Sequence, residues 1–151
     1  MQPQDQFERR YEAATIALVG WSETLKDVAD VIVERAASYW RLRLDPQASG
    51  TCPVEVILHR SQVYDVMIGS ESYESLPLDD PDRLQPMLAA IAAGHVVTHT
   101  RRSALTNRLI EIATVIGSAN NPLFERARTT GAMPAPSDLI AERHYVPYRR
   151  G

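Results

Sequence analysis

The side chains that could do chemistry in this chain are four histidines, one cysteine and fifteen arginines. His95 and His99 stand four apart in His-Val-Val-Thr-His, a spacing that binds zinc when both fall on one helical turn. The segment reads as a strand, which sets the two about 13 Å apart on one face, too far for one metal ion. No glutamate stands in the metalloprotease position between them. No metal site is expected, and the histidines read as structural or solvent-facing.

His59, His95, His99 and Arg101 are the residues that could line a pocket for a small carboxylate or phosphate. Arg101 would supply a bidentate fork. The competing reading is an Arg102–Glu111 cross-strand pair on a charged, solvated sheet edge. Cys52 has no Cys-x-x-Cys companion and cannot close an internal disulfide. Nothing in the sequence supplies a partner to orient His59, so Cys52 reads as buried and inert. The glycine-rich phosphate loops, the nucleophile elbow and the calcium loop are all absent from the sequence. No catalytic residue is assigned and no cofactor is expected, so the sequence leans away from an enzyme.

The elements that would position these residues follow from periodicity. Phe7, Tyr11, Ala14, Leu18, Trp21, Leu25, Val28 and Ile32 recur at steps of four and three; Tyr39 and Leu42 resume the series beyond Arg35. This predicts a helix from about residue 5 to 43, kinked at Gly20-Trp21-Ser22. Unbroken, it would be about 58 Å long, against a compact body only about 40 Å across. It therefore either breaks or projects toward a partner. Small and apolar residues flank the stripe where a two-stranded coiled coil would carry charged pairs, so packing on a sheet or against several helices is the better reading.

Val54–Leu58 and Tyr64–Ile68 read as a hairpin, with a helix over residues 61–69 as the alternative. Leu76 to Pro81 is a connector. Asp80 caps a second helix with Pro81 at its start, Leu84, Met87, Leu88 and Ile91 on its buried face and Gly94 at its end; Pro86 kinks it or delays its true start. His95 to Gly117 reads as a second hairpin turning at Thr106-Asn107, which sets Arg102 opposite Glu111. The expected class is α+β: a single domain over 1–118, two helices on a mostly antiparallel four-stranded sheet in the order α-β-β-α-β-β. Residues 119–151 form a proline-containing tail, with a helix near residues 137–143, packed on the domain or on a partner subunit.

The chain has 151 residues, 44% hydrophobic and 23% charged, which suits one folded domain. Its net charge of −3 conceals a division: eight basic against fifteen acidic residues over 1–100, and eight against four over 101–151. Fifteen of the sixteen basic residues are arginine, a usage that fits GC-rich bacterial coding as well as it fits chemistry. The first residues carry no signal-peptide pattern, and the apolar runs are too short to span a membrane. With a single unpaired cysteine, a cytoplasmic location is expected.

The leading functional expectation is a non-enzymatic, homo-oligomeric assembly or accessory protein, associating through the N-terminal helix and the C-terminal tail and open to a further protein partner. The first alternative is a small-anion binding protein or enzyme built on His59, His95, His99 and Arg101. The second, and the weakest, is nucleic-acid binding through Arg101, Arg102, Arg108 and the tail.

Overall fold

The structure is a computed structural model and describes residues 2–118 and 120–149. Helix α1 (Gln4–Glu23) carries the first half of the apolar repeat, with Phe7, Tyr11, Ala14 and Leu18 buried on one face. It does not run to residue 43. After turns over residues 24–28 the chain enters strands β1 (Ala29–Arg35) and β2 (Tyr39–Pro46), paired antiparallel. Two local features favour strand. Val28, Val31, Ile32 and Val33 are branched at Cβ, which suits a pleated surface better than a helix. Residues 40–45 alternate strictly, and β2 buries Trp40, Leu42 and Leu44 while Arg41 and Arg43 stay half-buried on the other face. Ile32, on the expected buried stripe, is 44% exposed; Trp40 and Leu44, off that stripe, are 1% and 0% exposed.

Strands β3 (Val54–His59) and β4 (Val63–Ile68) form the expected first hairpin, so the helical alternative is not adopted. Strand β5 (Glu71–Pro77) follows, partly where a connector was expected, and completes a five-stranded meander in the order β1-β2-β3-β4-β5. Asp80 accepts a hydrogen bond from the Asp82 N–H at 3.2 Å and starts a 3-10 turn, Pro81–Arg83. Helix α2 (Leu84–Ala92) begins after it, so Pro86 falls in the first turn, where its missing N–H costs no helical bond. The expected face of Leu84, Met87, Leu88 and Ile91 is buried.

Strands β6 (Val96–Arg102) and β7 (Leu109–Ser118) pair as the second hairpin, but one residue out of the expected register: Arg101, not Arg102, lies opposite Glu111. The turn is a six-residue loop organised by Ser103. Its Oγ accepts from the Leu105 and Thr106 N–H groups, its carbonyl accepts from Asn107 N–H, and Asn107 takes φ +59°. Strand β8 (Asn121–Thr129) pairs with β7, and β9 (Leu139–His144) pairs with β6, replacing the helix expected near residues 137–143. The expected domain boundary at 118/119 touches residue 119, which lies outside the described residues. The class is α+β, as expected. In place of a single four-stranded sheet, the two helices accompany antiparallel sheets of five and four strands, the second ordered β8-β7-β6-β9.

One apolar cluster runs through the whole body. It joins Phe7, Tyr11 and Leu18 of α1, the inner face of β2 to β5, the buried face of α2, and Val96, Ile116 and Phe124 of the second sheet. Polar contacts fix how the sheets meet. Tyr73 Oη and Thr114 Oγ1 are 2.9 Å apart and both residues are buried, and Arg128 Nε donates to the buried Glu71 at 3.1 Å. A buried carboxylate without such a partner would be expensive.

The last described residues strap these layers together. Tyr145 and Tyr148 are 7% and 3% exposed. Val146 N–H donates to Gly50 O, Tyr148 N–H to Ala92 O, and Tyr148 Oη to Cys52 O at 2.6 Å. The strap lies so close that a Cβ on Gly94 would stand 2.7 Å from Pro147 N, at a residue whose φ is +83°. Gly131 has nearly the same φ, +84°, with nothing within 4 Å of a Cβ. Gly131→Ala should therefore cost only the left-handed strain, about 1 kcal/mol, while Gly94→Ala should cost roughly 3 kcal/mol because backbone must also move. Urea denaturation of the two variants checks this, and equal losses would contradict the role of the strap.

Candidate functional site

The four residues expected to share a pocket do not converge. His59 lies on the outer face of the first sheet at the end of β3, and His95 is exposed just ahead of β6. His99 and Arg101 stand together on the outer face of the second sheet, around a hollow of about 160 Å³ shared with Glu111 and Ile140. Both already have partners. Arg101 Nη1 lies 3.4 Å from Asp138, whose side chain is 4% exposed, and His99 Nδ1 lies 3.3 Å from Glu142. Glu142 also meets His144 Nε2 at 3.1 Å, so one carboxylate sits between two imidazoles. His144 and Asp138 were missed because β9 read as helix or tail. Arg102 does not pair with Glu111; it donates to Asn107 O at 3.2 Å. No group of three or more His, Cys, Asp or Glu residues among the described residues is placed to hold a metal ion.

The sequence offered His59 no partner, and the structure supplies one: His59 Nε2 lies 2.8 Å from Asp65 Oδ2. The signal was available, since a hairpin turning at residues 60–62 pairs His59 with Val63 and sets Asp65 diagonally beside it on the same face. The other oxygen of Asp65 accepts the Ser75 N–H at 2.8 Å, at a bulge where Glu74 and Ser75 oppose one residue of β4 and Ser75 takes φ +55°. Burial works to raise the Asp65 pKa, but the Ser75 N–H and His59 outweigh it, and the carboxyl is held below its ordinary value. Cys52 is fully buried, and burial pushes its thiol up to about 12, so it is a poor nucleophile in the folded chain.

Two surfaces expected to meet a partner are occupied within the chain. The apolar face of α1 is buried against the first sheet, with Tyr11 Oη donating to Leu58 O at 3.0 Å. In the tail, Tyr145 and Tyr148 are buried, and Arg149 pairs with Asp27. Arg150 of the basic tail lies outside the described residues. None of the described helices is long and apolar enough to cross a membrane.

The edge strand β1 is different. Ala36 N–H donates to Tyr39 O and Gln47 N–H to Val28 O at the two ends of its pairing with β2. Bonded pairs alternate along an antiparallel ladder, so even-numbered residues of β1 bond to β2. Val31, Val33 and Arg35 turn their N–H and C=O groups to the open edge, while the Ala29 N–H is taken by Leu25 O at 2.9 Å. Ile32 and Val33 are 44% and 42% exposed on opposite faces, and Arg35 reaches Glu12 and Thr15 of α1, next to Ile16 at 69% exposure. Apolar side chains and unpaired backbone thus meet along one seam.

Stability should carry the mark of Asp65. A carboxyl with a depressed folded pKa stabilises above its unfolded value and loses that contribution as pH falls through the folded one. Asp65→Asn should cost about 1 kcal/mol at neutral pH, with the deficit closing below about pH 4. Thermal unfolding across pH measures it, and a deficit independent of pH would contradict the pairing. Comparison with protein-family models, with curated proteins and with solved structures finds no match to this chain.

Proposed function

We propose that this chain is a self-associating assembly or accessory protein of the cytoplasm, working as a symmetric pair joined through the open edge of β1. The observation that carries this reading is the alternation along β1, which leaves the N–H and C=O groups of Val31 and Val33 outward between the exposed Ile32 and Val33 side chains. A two-fold axis normal to the sheet pairs residues whose numbers add to an even total. Each symmetric register centred on Val31, Ile32 or Val33 therefore sets odd residues opposite odd ones, and outward donors meet outward acceptors. Two five-stranded sheets would then continue as one. An edge strand with free backbone groups and apolar side chains is a ready template for another strand.

The same alternation supplies the test. Proline at residue 33 removes an outward N–H and leaves the β1–β2 ladder complete, whereas proline at residue 32 removes a ladder bond. Light scattering after gel filtration should find the wild-type chain dimeric at micromolar concentration. Val33→Pro should be monomeric with an unchanged circular dichroism spectrum, while Ile32→Pro should be destabilised by about 3 kcal/mol. A monomeric wild type, or a dimeric Val33→Pro, would overturn the proposal.

A further inference from the structure

A second cavity, of about 180 Å³, opens where β4, the 3-10 turn, α2 and the start of β8 come together. Leu84 and Met87 of α2 and the half-buried Leu123 of β8 give it apolar walls. Tyr64, Asp79, Asp80 and Arg83 are its polar and charged lining residues. Elsewhere the charged walls of hollows are largely paired: Arg101 and His99 with Asp138 and Glu142, and Glu55 and Asp65 with Arg43 and His59. Here the Tyr64 hydroxyl and the side chains of Arg83 and Asp79 make no hydrogen bond or ion pair with any described residue. Arg83 and Asp79 line the same cavity without meeting each other. The neighbouring Asp80 is already neutralised by Arg10 at 2.7 Å, which leaves Asp79 as the free negative charge. Burial pushes the Tyr64 phenol up, and the charges of Arg126 and Arg83 oppose it, which puts positive charge on the hydroxyl's side of the cavity.

The space is smaller than the roughly 300 Å³ at which common ligand pockets begin and has room for about six water-sized groups. A ligand that matched it would be small, would carry an anionic and a cationic end, and would have an apolar body. We propose that this cavity binds a free amino acid with an apolar side chain. Arg83 and the Tyr64 hydroxyl take its carboxylate, Asp79 takes its ammonium group, and its side chain lies against Leu84, Met87 and Leu123. The guanidinium fork and the phenol suit a carboxylate, and a charge-assisted bond at each end makes recognition depend on both charges.

The test titrates the intact protein with L-leucine and follows backbone amide shifts by NMR, with two probes that each lack one charge: 4-methylpentanoate, without the amine, and isopentylamine, without the carboxylate. Leucine should bind saturably, with shifts centred on residues 78–88 and 123. Each one-charge probe should bind at least about tenfold more weakly. Arg83→Gln and Asp79→Asn, both at exposed residues with no internal partner, should retain the wild-type spectrum and each weaken leucine binding about tenfold or more. Absence of saturable leucine binding would overturn the proposal. So would equal binding of the three probes, or undiminished binding by either variant.

Discussion

Five residues at the end of the described chain hold separate layers in one arrangement. Tyr145 N–H donates to Val96 O in the second sheet, Val146 to Gly50 between β2 and β3, and Tyr148 to Ala92 at the end of α2; Arg149 closes on Thr24 and Asp27 beyond α1. Each bond alone is worth about 1 kcal/mol. Their value lies in the connections, because the strap touches every layer of the fold within a few residues. The neighbouring backbone is shaped to admit it: Gly69 and Gly94 both have positive φ, and a Cβ at either would collide with Tyr145 or Pro147. Tyr148, with its ring buried and its hydroxyl spent on Cys52 O, seals the cysteine from solvent.

This closure decides what the surface has left to offer. The stripe of α1 and the aromatic residues of the tail are consumed internally, so the proposed association falls to backbone that no strand covers. The inner contact between the sheets is likewise spent on Tyr73–Thr114 and Glu71–Arg128. What remains are strand edges, β1 among them, and the cavity at the junction of β4, α2 and β8.

The sequence made α1's buried face, the β3–β4 hairpin and the face of α2 legible, because in each the local period and the tertiary burial agree. It misled over residues 24–46, where a three-four repeat and a two-residue alternation coexist. Ile32 satisfies the first, Trp40 and Leu44 the second, and only pairing with β3 decides between them. Arg101 facing Glu111 depended on Ser103 enlarging the turn, a side-chain-to-backbone effect with no periodic signature. His59–Asp65 could have been found from hairpin geometry. The cavity shared by Tyr64, Arg83 and Asp79 could not, since only tertiary packing brings Tyr64 of β4 to the segment around the 3-10 turn, and β9 was hidden by the prolines before it.

The central claim is that the strapped body is one cooperative unit whose free edge, β1, pairs with a second copy. Hydrogen exchange of the intact protein at low and high concentration reads both parts together. The account predicts that Val146 and Tyr148 amides exchange as slowly as those of β3 at either concentration, while the Val31 and Val33 amides become protected only as concentration rises. Fast exchange in the strap, or β1 amides indifferent to concentration, would contradict it.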